Sequence, residues 1–217
     1  MQRGEDFLAA ALALVEADGI EGLTIVRLAA KLGLAVGAMY RYYPSKDDLL
    51  AALEVRALDD YTRSLVQALA AEPAARSPLP ALVRIFFAPR HYHRHLVEHP
   101  AVRRLLSVAL ADPRRLVADP QAEPIVHACQ RLALVLGGLF GDAARVGALP
   151  DRPPGERVLT YFACTQGVVQ LEKLLARAGG MPSIDTLLDE STAALLRGFG
   201  ARAELVTKAQ KLVKEMS

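Results

Sequence analysis

The residues best equipped for chemistry crowd together near the N-terminus, in "VGAMYRYYPSKDDL" (36–49). Three of the six tyrosines, Tyr40, Tyr42 and Tyr43, fall within four positions there, beside Arg41 and Lys46. Phenol hydroxyls, a guanidinium and an ammonium are all donors. The acceptor they suit together is a phosphate oxygen, with the rings lying against sugar. On a helix beginning at Val36, Met39 and Tyr43 fall ~40° apart and share the core side. Gly37, Tyr40, Arg41 and, further round, Ala38 and Tyr42 occupy the other faces. One tyrosine is thus expected to be structural and two to reach outward. Lys46, with the free N–H groups opening the next helix, would make a second phosphate clamp. Taken singly, the tyrosines also fit packing and Lys46 a solvated side chain; the joint pattern is what points to nucleic acid.

The elements that position these residues read as helices, with no run of period-two alternation that would mark a strand. Phe7, Leu8, Ala11, Leu12, Leu14 and Val15 form an apolar stripe ending near Asp18-Gly19. Thr24 has the character of an N-cap for a helix whose apolar face is Ile25, Leu28, Ala29 and Leu32, closed by Gly33. The short helix from Val36 to about Tyr43 is stopped by Pro44. Ser45 caps a fourth helix, from Lys46 to about Ala70, with Asp47 and Asp48 at its positive end. Three helices with a tight glycine turn between the second and third match a helix-turn-helix. In that plan the third helix enters the major groove and the second braces against the backbone. Further helices are expected over 79–98, 101–111, 124–146, 155–178 and 183–199, with Pro89 kinking or dividing the first. Residues 201–216 read as a mobile last helix.

The 217-residue chain is 52% hydrophobic and 23% charged, the profile of a soluble folded protein with a substantial core. No uncharged apolar run approaches the ~20 residues that span a bilayer. Met1-Gln2-Arg3-Gly4-Glu5-Asp6 lacks the order of a signal peptide, so a cytoplasmic location is expected. Cys129 and Cys164 have no disulfide or zinc spacing and read as core residues. A net charge of +2 is too small to argue for a polyanion partner. Residues 1–50 even hold five basic residues against seven acids. If this segment binds nucleic acid, placement must do what bulk charge does not.

"GLTIVRLAAKLGLAVGAMYRYYPSKDDLL" (22–50) resembles the DNA-binding segment of TetR-type transcriptional regulators in order and spacing throughout. Thr24, Ala29, Ala30, Leu32, Gly33, Met39, Tyr40, Tyr42, Tyr43, Ser45, Lys46 and Leu49 occupy the family's typical places. Further on, "VEHPAVRRLL" is similar to the family's helix junction and "LLDESTAALLRGFGA" to its usual last helix. The resemblance implies an all-α protein: a helix-turn-helix DNA-binding domain over 1–50, a helical effector-binding and dimerisation domain over 51–200, and a helical tail over 201–217. It implies phosphate contacts from Thr24, Tyr40, Tyr42 and Lys46, and base or phosphate contacts from Arg27 and Arg41. Where the family often has hydroxyls, this chain has Ala35 and Ala38. Ala35, Val36, Gly37 and Ala38 therefore offer methyl contacts and close approach, suited to thymine methyl groups. Hydrogen-bonded base reading is expected from Arg27, Arg41 and Tyr42.

The resemblance also implies a cavity for a small, largely apolar effector in the second region. Phe86, Phe87, His127, Phe140, Tyr161, Phe162, Thr165 and Gln166 are its candidate lining, a mixture that equally suits a helical core. Tyr161, Thr165, Val168, Leu171 and Leu175 continue one face that would cap the core in a monomer. In the resembling family the last two main helices pair with their mates in a homodimer, which would set the reading helices ~34–36 Å apart to match successive major grooves. The expected protein is a repressor bound to a palindromic double-stranded DNA operator and released by its effector.

Rival readings rest on thinner motifs. His91, His95 and His99 repeat at four-residue steps, as metal-binding pairs do, yet Arg90, Arg94 and Glu98 mark a wet face, and no metal or cofactor is expected. No nucleophile-base pair, phosphate loop or paired carboxylates indicate catalysis. A redox sensor and a sequence-indifferent DNA binder complete the alternatives.

Overall fold

The computed structural model describes residues 2–111, 122–178 and 180–215. Every regular element among them is a helix: α1 (Gln2–Asp18), α2 (Ile25–Leu32), α3 (Val36–Tyr40), α4 (Lys46–Ala71), α5 (Pro78–Glu98), α6 (Pro100–Ala111), α7 (Ala122–Arg145), α8 (Gly155–Gln170), α9 (Glu172–Leu175), α10 (Ile184–Gly198) and α11 (Ala203–Glu215). The chain forms two compact units, Met1–Tyr61 with Leu96–Arg131, and Thr62–His95 with Leu132–Ser217.

Local chemistry explains the start of the first unit. Gly19 leaves α1 with φ 74°, a conformation costly for a residue with a Cβ. The Thr24 hydroxyl accepts the Arg27 N–H at 3.1 Å and caps α2. Gly33, at φ 65°, closes that helix and returns its N–H to the α2 carbonyls. α3 is shorter than expected: it ends at Tyr40, and the Tyr42 and Tyr43 N–H groups both turn back to the Met39 carbonyl at 2.9 Å. The Tyr42 bond is a tightened three-residue step, and Pro44, which has no N–H for the Tyr40 carbonyl, keeps the helix from resuming. The Ser45 hydroxyl then accepts the Asp48 N–H at 3.1 Å and opens α4. Phe7, Val15, Leu28, Met39 and Leu53 are buried, and so are Ala11, Leu14, Ile25, Ala29, Leu49 and Leu50. Full burial of one such side chain stabilises by roughly 1.5–3 kcal/mol. α6 packs on α1, and Arg104 donates to the Val15 and Glu16 carbonyls at 3.1 and 2.8 Å.

In the second unit α5 runs unbroken through Pro89. Proline has no N–H for the carbonyl four residues back, which is that of Ile85. The Tyr161 hydroxyl fills the gap, donating to the Ile85 oxygen at 2.5 Å. Of the two expectations for Pro89, a kink or a division, the continuous helix removes the division. The expected 155–178 helix is instead interrupted at Leu171, where bonds tighten to three-residue steps (Leu171 N–H to Val168 O, 3.0 Å). α8 and α10 pack against each other, and Ser183 caps α10 by accepting the Thr186 N–H at 3.1 Å. The face expected to be shared with a partner splits: Tyr161 and Thr165 are buried within this unit, while Leu171 is exposed.

The tail is a packed helix rather than a mobile one. Val206, Ala209 and Val213 of α11 are buried. Arg90 donates to the Val213 carbonyl at 3.0 Å and grips both carboxylate oxygens of buried Asp189, at 2.8 and 2.6 Å. α7 is long and apolar enough to cross a membrane by length and composition. It nevertheless buries Ala128, Leu132, Leu136 and Phe140 and pairs Arg131 with Asp59 through two 2.9 Å bonds, as a core helix does.

Candidate nucleic-acid interface

α3 owes its orientation to Met39, whose side chain is fully buried. With that anchor inside, Tyr40 (48% exposed) and Tyr42 (51% exposed) stand outward, and Arg41 is exposed beside them. Tyr43 is half-buried, and burial first, then the Glu5 carboxylate, raises its phenol above the usual range despite Arg56. Tyr42 is not loose: its ring meets buried Phe7 edge-on, with centroids 5.0 Å apart. This contact leaves the ring placed and the residue half exposed, which suits a directed donor. Ala35 and Gly37 are exposed, and Val36 and Ala38 partly so, giving α3 a low, methyl-rich surface.

The two remaining expected cations are already engaged within the protein. Arg27 donates to the Gly22 carbonyl at 2.8 Å and meets the Asp18 carboxylate at 2.5 Å. The Lys46 ammonium lies 3.9 Å from a Glu21 oxygen. Sequence reasoning missed both carboxylates: Asp18 ends α1 and Glu21 lies in the turn after it, and the fold of that turn brings them to Arg27 and Lys46. The Thr24 hydroxyl accepts the cap bond, a role that leaves its own O–H to donate.

The candidate effector residues are only partly brought together. Phe86, Phe140, Tyr161 and Thr165 are buried in the second unit, and Phe140 meets Tyr161 edge-on at 5.4 Å. Thr165 donates to the Tyr161 carbonyl at 2.9 Å, and Gln166 bonds the Tyr92 hydroxyl at 2.8 Å. Phe87 stacks on His91, and Phe162 is half-buried. His127 does not join them: it is exposed and belongs to the first unit. An apolar recess of about 170 Å³ lies elsewhere in the second unit, between Pro73, Leu79, Pro80, Val83 and Leu212.

The histidines of the run face different partners. His91 Nε2 is 2.9 Å from the Ser64 hydroxyl, His93 Nδ1 is 3.0 Å from Asp185, His95 is buried and His99 exposed. Among the described residues no group of three or more His, Cys, Asp or Glu side chains is placed to hold a metal ion. Neither cysteine is the core residue expected: Cys129 is exposed and Cys164 half-exposed, both free thiols. Desolvation of its sulfur, and then Glu54, nevertheless push the Cys129 thiol up.

Comparison with known proteins agrees with this geometry. Residues 7–53 match the bacterial regulatory proteins of the tetR family. The HTH-type transcriptional repressor DrrR1 of Streptomyces coeruleorubidus is 46% identical over 41 residues, 19% of this chain and 15% of that protein, so the chain spans only a small part of this relative. A protein of unknown function from Rhodococcus sp. RHA1 shares the fold with a TM-score of 0.71 at 22% identity, over 90% of this chain and 94% of that one. A TetR/AcrR-family transcriptional regulator from Thermobifida fusca YX-ER1 superposes with a TM-score of 0.62 at 21% identity, over 92% and 99%. At such identities the two structures speak for the fold, and the match over residues 7–53 speaks for the head. Residues 7–53 thus carry the N-terminal domain of the tetR-family bacterial regulatory proteins, on an all-helical body that shares its fold with these two structures.

Proposed function

We propose that this regulator is a ligand-responsive repressor that binds a palindromic operator as a homodimer. One observation carries the reading: buried Met39 turns Tyr40, Arg41 and Tyr42 outward on a short helix with a low, methyl-rich surface. Arg41 and Tyr42 would read base edges, while Tyr40, Thr24 and Lys46 hold phosphates. Ala35, Val36, Gly37 and Ala38 would lie against thymine methyl groups. Arg27 keeps a place at this interface on condition that it leaves Asp18. The repressor named among the relatives supports the sign of control. Its place of action would be the cytoplasm, where the operator is.

The domain plan that goes with this reading is a reading head over 1–50, an effector and dimer region over 51–200 and a helical tail over 201–217. Ala163 and Gly167 on α8, and Ala194 and Gly198 on α10, are exposed small residues that would let two copies approach closely. A small apolar effector would open the second unit near Phe86, Phe140, Tyr161 and Phe162. Release requires it to bind the DNA-incompetent geometry more tightly than the competent one. The test is an electrophoretic shift of the intergenic duplex beside the gene. Arg41→Ala should weaken binding at least tenfold with the fold intact, and unchanged affinity would refute the assignment.

A further inference from the structure

Residues 1–50 hold more acid than base, which is unexpected for a surface that meets phosphate. The positions of two acids account for part of this. Asp18 ends α1 and Glu21 lies in the turn after it, and their carboxylates face the two cations Arg27 and Lys46. Lys31 and Arg41 are exposed cations with no such partner among the described residues. The turn that presents the acids is close-packed: a Cβ on Gly22 would lie 2.3 Å from the Asp18 Cβ and 3.0 Å from an Arg27 Nη1.

We propose that Asp18 and Glu21 are built-in counter-ions of the DNA interface, held against Arg27 and Lys46 in the free protein and displaced by phosphate on binding. The inference rests on the DNA-binding reading above. Its physics is an exchange. An ordinary lysine that meets a phosphate releases a condensed cation from the duplex, which steepens the fall of affinity with salt. A lysine drawn from its own carboxylate leaves that carboxylate bare beside the DNA, where it takes up a cation from solution. The two ion movements cancel in part. The regulator therefore binds more weakly at low salt, and with a shallower salt dependence, than its count of phosphate contacts implies. The Glu21 carboxylate is 99% exposed, so its effect is electrostatic and not a matter of packing.

Full-length protein is titrated by fluorescence anisotropy with the intergenic duplex and with a random-sequence duplex, between about 50 and 200 mM salt. Glu21→Gln and Asp18→Asn should each raise low-salt affinity for both duplexes, by up to about fivefold given the usual strength of surface pairs. Each should also steepen the log–log salt slope by as much as about one. Glu204→Gln, an exposed acid on α11, should change neither. Wild-type slopes in Glu21→Gln, or an equal gain in Glu204→Gln, would overturn the inference while leaving the regulator reading intact. Wild-type protein that binds neither duplex at low salt would overturn both. Thermal melting of Asp18→Asn separates a lost counter-ion from a damaged turn, and Glu21→Gln carries the test on its own if that turn fails.

Discussion

Tyr161 and Ile85 meet because of a third residue: the Tyr161 hydroxyl donates at 2.5 Å to a carbonyl that Pro89 cannot serve. Tyr161→Phe should cost about 1–3 kcal/mol, the penalty of a buried acceptor left without a donor. Pro89→Ala supplies the missing N–H, so the same tyrosine change should cost much less in that background. Urea unfolding of the four proteins in this cycle measures the difference.

Arg90 and Asp189 form the buried ion pair of the second unit. Removing one partner leaves the other charged and dry, so Asp189→Ala should destabilise by about 3–5 kcal/mol. Arg90 also holds the Val213 carbonyl, so hydrogen exchange should show α11 losing protection before the rest of the unit.

The Tyr42 ring and its hydroxyl have separable tasks. Tyr42→Phe keeps the Phe7 contact and should leave stability within about 0.5 kcal/mol of wild type while weakening DNA binding. Tyr42→Ala should lose both, with a further stability cost of about 0.5–1.5 kcal/mol from the missing ring pair. Equal affinity for wild type and Tyr42→Phe would remove the phenol from the interface.

Burial pushes the Tyr92 hydroxyl up to about 12, against the pull of its bond to Gln166. The unfolded chain, ionising near pH 10, then loses this proton first. Stability from this group is complete below about pH 10 and falls towards pH 12, by about 2–3 kcal/mol in all. Tyr92→Phe should lack this alkaline loss, so the stability gap between the two proteins narrows as pH rises. A constant gap from pH 9 to pH 12 would show that the phenol ionises alike in both states.

Local chemistry was legible and long-range chemistry was not. Thr24, Gly33 and Ser45 declare helix ends through their own side chains or lack of one, and each does what its type suggests. Met39 was readable from spacing alone. The end of α3 at Tyr40 lies in a tightened turn at Met39 that no residue type announces, whereas Pro44 marks only the far limit of the helix. That α5 is not divided at Pro89 was not legible, since the donor that serves the Ile85 carbonyl comes from Tyr161, far along the chain. The partners of Arg27 and Lys46 depend on how a four-residue turn folds back, which periodicity does not encode. His127 and Phe140 share α7 but lie thirteen residues apart, more than three turns, so one helix carries them into different units.

The grip of Arg104 on the last carbonyls of α1 bears on engineering. A chimera that exchanges reading heads at residue 50 would strip α1 of its C-terminal donors and leave the apolar side of α6 facing a foreign surface. The graft has to carry α6 with it, and the transplantable cassette is therefore discontinuous.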